Sequence, residues 1–269
     1  MKYLEAGTVT EKHEIRPGLF QLRLHSPKIG IAASPGQFLH IRIGNGTDPL
    51  LRRPFSIQRI FGEDIEIILK VYGRGSGKLR DVTVGSTLNV LGPVGSLWNI
   101  PTTATSIVGV SGGVGIAPVL FQQQRWQGAI PFQHFVGSRT AEDVPVSEAV
   151  LSEYGIQVAT DDGSLGFHGT VVDYIDHHWN SGAFGAHPFL ITCGPWMMMK
   201  ALVDWATKNQ IAGQLSAEAR MGCAVGVCQG CALARPHDEG GATQYFLCCK
   251  DGPVFDFGAI DMEVYPFGN

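Results

Sequence analysis

SIVGVSGGVGIAPVLFQQQRW, residues 106–126, decides the fold. Its first seven residues are apolar or small throughout and too short for a helix, which is how a strand covered on both faces reads. Gly112, Gly113 and Gly115 follow at once, and a helical pattern opens behind them with Pro118 in its first turn. A strand that runs through glycines into a helix leaves the first N–H groups of that helix without partners, facing any phosphate that binds there. Pro118 stands where the usual dinucleotide fingerprint has its third glycine, so an ordinary Rossmann dehydrogenase is not supported.

Toward the C-terminus the same alternation continues. FQHFVGS (132–138), IQVAT (156–160) and FLITCGP (189–195) read as further strands. GTVVDYIDHHW (169–179) and PWMMMKALVDWATKNQ (195–210) read as helices, the second with Gly213 as its cap. Strands alternating with helices imply a parallel α/β layer. Toward the N-terminus the text changes to short strands between turn residues: GLFQLRLHS (18–26), GQFLHIRIG (36–44), IEIILKVYG (65–73) and STLNVLGP (86–93). That spacing predicts an antiparallel barrel. The expected fold class is therefore α+β multidomain: a barrel over 1–101, an α/β parallel-sheet domain over 102–213, and a small C-terminal segment over 214–269.

The chain has 269 residues, 20 Lys plus Arg against 24 Asp plus Glu, and a net charge of −4. No basic stripe is present, so nucleic acid is not an expected partner. The N-terminus is broken by charges and Pro17, and no later run reaches the length of a membrane span, so a cytoplasmic protein without a membrane partner is expected.

Five of the six cysteines fall within residues 223–249. A tail of this size cannot build a core alone, and a metal staple would supply what the core lacks. Cys223-x4-Cys228-x2-Cys231, followed by Cys248 and Cys249, has the plant-type ferredoxin spacing. Its interleaved glycines let the backbone approach an iron–sulfur cluster. A four-thiolate zinc site is the competing possibility, but it leaves Cys223 idle and gives the glycines no purpose. Spacing does not separate Cys248 from Cys249; adjacent residues on extended chain point to opposite sides, so one of them is expected to reach the iron.

Two weaker signals lie in the barrel. RRPFSI (52–57) places Arg53, Pro54, Phe55 and Ser56 at a strand start, where they suit a flavin diphosphate and ring or simply a barrel corner. YGRGSGKL (72–79) reads as a glycine loop whose Gly75 and Ser76 cradle a pyrophosphate, or as an ordinary turn. Cys193 ends a strand at the carboxyl edge of the sheet, beside a nicotinamide or as a buried structural thiol. Asp161 and Asp162 read as a turn with Gly163, and His177 and His178 as a solvated helix face. No triad or carboxylate pair is present to suggest acid–base catalysis, so the catalytic set is empty and the nucleotide chemistry expected is hydride transfer.

Taken together, LRRPFSI (51–57), GRGSGKL (73–79), LGPVG (91–95), SGGVGIAP (111–118), TDDGSLGFHG (160–169), TCGPWMMMKAL (192–202), EARMGCAVGVCQGC (218–231) and CCKDGPVF (248–255) resemble the ferredoxin–NADP reductase superfamily. More narrowly they resemble the electron transfer subunits of class B dihydroorotate dehydrogenases, over essentially the whole chain. The resemblance implies FAD against Arg53, Pro54, Phe55 and Ser56, with the backbone of Leu69, Lys70 and Val71 and with Gly75 and Ser76 at the pyrophosphate. It implies NAD(H) at Gly112, Gly113, Gly115 and Pro118 and at Cys193, Gly194 and Pro195. It also implies a [2Fe–2S] cluster on Cys223, Cys228, Cys231 and Cys249, with Cys248 a buried neighbour. The partner implied is an FMN-containing catalytic subunit of pyrimidine biosynthesis in a heterotetramer of two copies of each chain. Reductase subunits of sulfite reductases, hydrogenases or oxygenases are the related alternative, and a zinc-stapled binding protein is the alternative of another class. Gly137-Ser138-Arg139 at the second strand end leaves NAD against NADP open, because an Arg there accommodates a 2′-phosphate.

Overall fold

The computed structural model describes residues 1–44, 46–236 and 244–266. Six strands close an antiparallel barrel in the order β1 (Tyr3–Arg16), β2 (Leu19–His25), β5 (Asp64–Lys70), β4 (Arg53–Phe61), β3 (Phe38–Ile41) and β6 (Thr87–Val94). Alternation along the strands sorts their side chains: Phe20, Leu22 and Leu24 of β2 and Ile65, Ile67 and Leu69 of β5 point into one core with Ile41 and Val90. Two short helices sit on the barrel, α1 (Pro27–Ala32) and α2 (Arg74–Arg80). The second corrects an expectation. The stretch read as a glycine loop is helical, and the Ser76 hydroxyl accepts the N–H groups of Tyr72 (2.9 Å) and Gly73 (3.2 Å) at its start.

The second layer is a seven-stranded sheet. Its strands are β7 (Ser106–Gly112), β8 (Phe132–Ser138), β9 (Gln157–Thr160), β10 (Phe167–His168), β11 (Pro188–Cys193), β12 (Gly213–Ser216) and, from the tail, β15 (Val254–Asp256). The order is β10-β9-β8-β7-β11-β12-β15, parallel except for the last pair. Helices α3 (Ile116–Arg125), α4 (Glu148–Tyr154), α5 (Val171–Asn180) and α6 (Trp196–Lys208) connect them. Helix α6 ends at Lys208, earlier than the Gly213 cap implies. Gln210 takes the left-handed turn at φ 57°, and Gly213 instead starts β12, where a Cβ would lie 2.6 Å from the Leu190 carbonyl oxygen. His178 is not on a solvated face either: its ring packs edge-on to Phe135 and stacks on Phe184, at 4.9 and 5.8 Å.

The tail does not stand apart. Strands β13 (Ala232–Ala234) and β14 (Tyr245–Leu247) form a small sheet of their own, but β15 continues the large one. Cys231, Leu233, Cys248 and Phe255 share one apolar cluster with Trp196 and Met199 of α6 and with Phe38 and Val94 of the barrel. Too few apolar residues are available in the tail to bury each other, so it borrows the faces of both larger layers. Among the described residues no helix is long and apolar enough to cross a membrane.

Helix α3 fastens barrel to sheet. The Gln124 amide donates to Ile60 O (2.9 Å) and accepts from Ile60 N (2.8 Å), completing the edge of β4, while Leu19 and Ile68 pack on Ala117. Beside this contact Glu66, fully buried, accepts from Arg59 (2.6 and 3.2 Å), Arg23 (3.3 Å) and Gln21 (2.5 Å); Arg59 also reaches Glu153 of α4 (3.4 Å). Burial works against the Arg59 charge, but the Glu66 carboxylate outweighs it and raises the Arg59 pKa. Glu66→Ala strands that guanidinium without its main partner and is expected to cost about 3–5 kcal/mol of stability. Urea unfolding checks this, and a loss within experimental error would show that the network is not structural.

Candidate cofactor and electron-transfer site

β7 is the point where chain order reverses: the strands that follow it run one way through β8, β9 and β10, while β11 and β12 lie on its other side. A crevice outside the carboxyl ends of β7 and β11 is the place such a sheet offers a ligand. Two adjoining cavities occupy this region, one of about 700 Å³ between barrel and sheet and one of about 520 Å³ at the sheet edge; Tyr72, Val114 and Glu218 line both.

Gly112, Gly113 and Gly115 line the smaller cavity together with Gly194 and Pro195. Gly113 has φ 53°, a conformation that costs a side chain about 1–2 kcal/mol. Gly115 is needed for a different reason. Its φ of −63° would suit any residue, but a Cβ would stand 2.4 Å from the Cys193 carbonyl oxygen. Contact between the two strand ends thus requires a bare backbone. Gly115→Ala is expected to destabilise the chain by about 1–3 kcal/mol, read from denaturant midpoints, whereas an unchanged midpoint would mean that the loop yields freely. Pro118 lines neither cavity; it is buried in the first turn of α3, and its carbonyl accepts the Trp98 indole N–H (3.2 Å).

The larger cavity has Arg53, Pro54, Phe55 and Ser56, the first four residues of strand β4, along one wall, and Leu69 and Lys70 of β5 beside them. Gly75 and Ser76 join it at α2, and a Cβ on Gly75 would press on Arg53 Nε at 3.0 Å. Val71 does not line the cavity. Its N–H is donated to Gly18 O (2.9 Å), and its side chain packs on the barrel core. Four cations, Arg53, Lys70, Arg74 and Arg220, surround this cavity against one carboxylate among the described lining residues, Glu218. Its apolar lining includes Phe55, Val114, Ala117 and Pro253. An apolar chamber with a cationic mouth suits a planar ring that carries a diphosphate, so the residues present fit FAD.

Glu218 escaped sequence reasoning. It follows β12 and lines both cavities; its side chain is open to their space, while the protein atoms crowded around the carboxyl raise its pKa above the usual range. Cys193 also faces the larger cavity, and burial pushes its thiol well up. These two groups mark the boundary where a ring in one chamber would meet a nucleotide in the other.

The tail brings its cysteines together, with Cys231, Cys248 and Cys249 buried, Cys223 half-buried and Cys228 exposed. Ala224 and Gln229 adopt φ of 58° and 56°, strain that non-glycine residues accept where surrounding structure dictates the turn. The loop turns its amides onto sulfur: Val225 N and Cys228 N donate to Cys223 Sγ (3.5 and 3.4 Å), and Cys249 N donates to Cys231 Sγ (3.5 Å). Burial tends to raise the Cys223 pKa, but those amides, Val227 N–H and the Cys228 thiol bring it down to about 6. Cys249, pressed by burial and by the neighbouring Cys231 sulfur, is pushed up to about 12. The thiols thus meet as two pairs, Cys223 with Cys228 and Cys231 with Cys249; among the described residues no three metal-binding side chains gather around one point. Cys248 turns the other way. It is wholly buried, burial raises its pKa, and its thiol donates to Ala217 O (3.4 Å), a residue that lines the larger cavity.

Comparison with known proteins gives the same picture. Residues 218–261 match the family model described as the iron–sulfur cluster binding domain of dihydroorotate dehydrogenase B. The chain is 32% identical over 247 residues to the dihydroorotate dehydrogenase B (NAD(+)) electron transfer subunit of Desulforamulus reducens, covering 90% of this chain and 92% of that one. It is 34% identical over 263 residues to the same subunit from a Geobacillus species, covering 95% and 98%. Among solved structures it superposes on a chain of the NADH-dependent reduced ferredoxin-NADP oxidoreductase with TM-score 0.83 and 24% identity, over 96% of this chain and 91% of that one, which shows a shared fold.

Proposed function

The chain belongs to the family of dihydroorotate dehydrogenase B electron transfer subunits, and from this we propose that it carries electrons between a catalytic partner and NAD through FAD and a [2Fe–2S] cluster. The observation that supports the proposal is the meeting of Cys223 with Cys228 and of Cys231 with Cys249, beside Cys248, whose thiol donates to Ala217 of the larger cavity's lining. Two irons need two thiolates each, whereas zinc needs four thiolates around one point, so the pairing favours the two-iron cluster on Cys223, Cys228, Cys231 and Cys249.

Arg53 and Arg74 are placed to hold the FAD diphosphate, and Phe55 and Ser56 to bound its ring. Flavin, when bound, supplies the exchange between two-electron nicotinamide chemistry and one-electron cluster chemistry. The N–H groups of the Gly112–Gly115 turn orient the nucleotide phosphates, and Gly194 and Pro195 floor the nicotinamide side. Cys193, buried in the wall, keeps water from the place where ring and nicotinamide meet, and Glu218 borders that place from both cavities. The dihydroorotate pocket belongs to the partner, an FMN subunit, with which two copies of this chain assemble as a heterotetramer.

The test is reconstitution. Mixed with the FMN-containing catalytic subunit, the chain is expected to support NAD reduction by dihydroorotate, with neither chain sufficient alone. A catalytic subunit that reduces NAD equally well without it would refute the proposal.

A further inference from the structure

The C-terminal segment leaves the cysteine-rich tail for the nucleotide site. Ile260 and Met262 are buried in the apolar cluster that also holds Cys231, Cys248 and Cys249. Between them Asp261 N donates to Ala234 O of β13 (2.8 Å). The Asp261 carboxylate accepts from Glu263 N (2.9 Å) and its carbonyl from Val264 N (3.3 Å), an aspartate-capped turn that sends the chain across the start of α6. There the Trp196 indole N–H donates to Met262 O (3.0 Å), Lys200 pairs with Glu263 (3.0 Å), and the Tyr265 ring packs edge-on to Trp196 with centroids 6.4 Å apart. The exposed ion pair adds little by itself, whereas the indole bond is buried and holds the segment in register.

Tyr265 thereby enters the wall of the smaller cavity beside Trp196, Met197 and Met199, with the glycine turn and the Gly194–Pro195 floor completing it. The ring is 47% exposed, so part of it is open to a ligand. The two cavities differ in charge. Four cations line the larger one, but among the described residues no Lys or Arg lines the smaller, whose charged lining residue is Glu218. A diphosphate bound there is met by the N–H groups of the glycine turn and by no cationic side chain. A larger share of the affinity then falls to the rest of the ligand. Aromatic and thioether side chains suit a planar heterocycle, not a phosphate, and they stand on the floor assigned to the nicotinamide side.

We propose that Tyr265 is a nucleotide-binding residue: held against Trp196 by the C-terminal turn, its ring confines the nicotinamide half of the dinucleotide while the glycine turn holds the phosphates. The proposal rests on the nucleotide site assigned above and names a residue of it that the C-terminal segment supplies.

The experiment is calorimetry on the full chain, loaded with flavin and cluster and kept oxidised. It compares oxidised NAD with ADP-ribose, which carries the same diphosphate and adenosine but no nicotinamide ring. Tyr265→Ala should weaken NAD binding about threefold to tenfold, the scale of one aromatic contact, and leave ADP-ribose unchanged. Tyr265→Phe, which keeps the ring, should retain most of the NAD affinity. Equal weakening of both ligands would show that loss of Tyr265 merely loosens the cavity, and undiminished NAD binding would show that the ring makes no contact. Either result would overturn the proposal, as would Tyr265→Phe behaving like Tyr265→Ala. Binding of neither ligand by the unaltered protein would overturn the nucleotide site itself, and the role of Tyr265 with it. In NADH-driven dye reduction Tyr265→Ala should raise KM by the same factor at constant kcat, with flavin and cluster absorbance intact, a split that a merely structural residue would not give.

Discussion

The Cys228→Ser protein is expected to lose its iron–sulfur absorption and its low-temperature EPR signal while retaining flavin and NADH-driven reduction of a dye. Cys228 sits at the exposed end of the cysteine loop, its thiol against Cys223, and a hydroxyl is a poor replacement for thiolate on iron. A cluster held by four thiolates loses a corner, and iron content should fall close to zero in protein purified under air. The cavities are lined by none of Cys223, Cys228, Cys231 and Cys249, so the flavin and nucleotide sites are left alone. Protein with its cluster and both activities intact would remove Cys228 from the ligand set.

Arg53→Ala acts on the other cofactor. Its guanidinium donates to the carbonyls of Leu51 (2.8 Å) and Arg52 (3.1 Å), contacts that the fold can lose to water, and its stem packs against Gly75 at the cavity wall. A charge-assisted hydrogen bond to a diphosphate contributes about 1.5–3 kcal/mol. FAD affinity should therefore fall about tenfold to a hundredfold, and the protein should leave gel filtration largely colourless at 450 nm apart from its cluster. Melting of the flavin-free form should not shift. Full flavin retention would show that Arg74, Lys70 or Arg220 holds the diphosphate instead.

Much of this architecture is legible in the amino-acid order, for definable reasons. SIVGVSG coincides with β7 residue for residue, because a strand covered on both faces is built of apolar and small residues and here runs through glycine into a helix; FQHFVGS coincides with β8, its Phe135 and Val136 buried although Gln133 and His134 interrupt the apolar run. The helix behind the glycines is equally plain. Legibility fades where an element depends on distant partners. β15 has three residues and no alternation of its own; it is a strand because β12 offers an open edge. Helix α4 has no legible period in its seven residues, although Ser147 caps it and Gly155 closes it at φ 59°. The glycine-rich stretch at 73–79 reads as a loop, yet Ser76 turns it into a helix by capping its own first turn.

The site divides in the same way. Sulfur spacing is local and survives in the sequence, and so does the glycine turn. Spacing could not choose between Cys248 and Cys249. The fold separates them, since Cys248 gives its thiol to Ala217 while Cys249 turns its N–H onto Cys231. Glu218 has no motif around it at all. Its importance comes from two cavities meeting at the end of β12, a conjunction of barrel, sheet and tail that no short window contains.

Anaerobic purification followed by quantitation of iron, acid-labile sulfide, zinc and flavin tests the central claim most directly. Two irons, two sulfides and one FAD per chain, without zinc, are the expected composition. Colourless protein with one zinc per chain and no sulfide would contradict it.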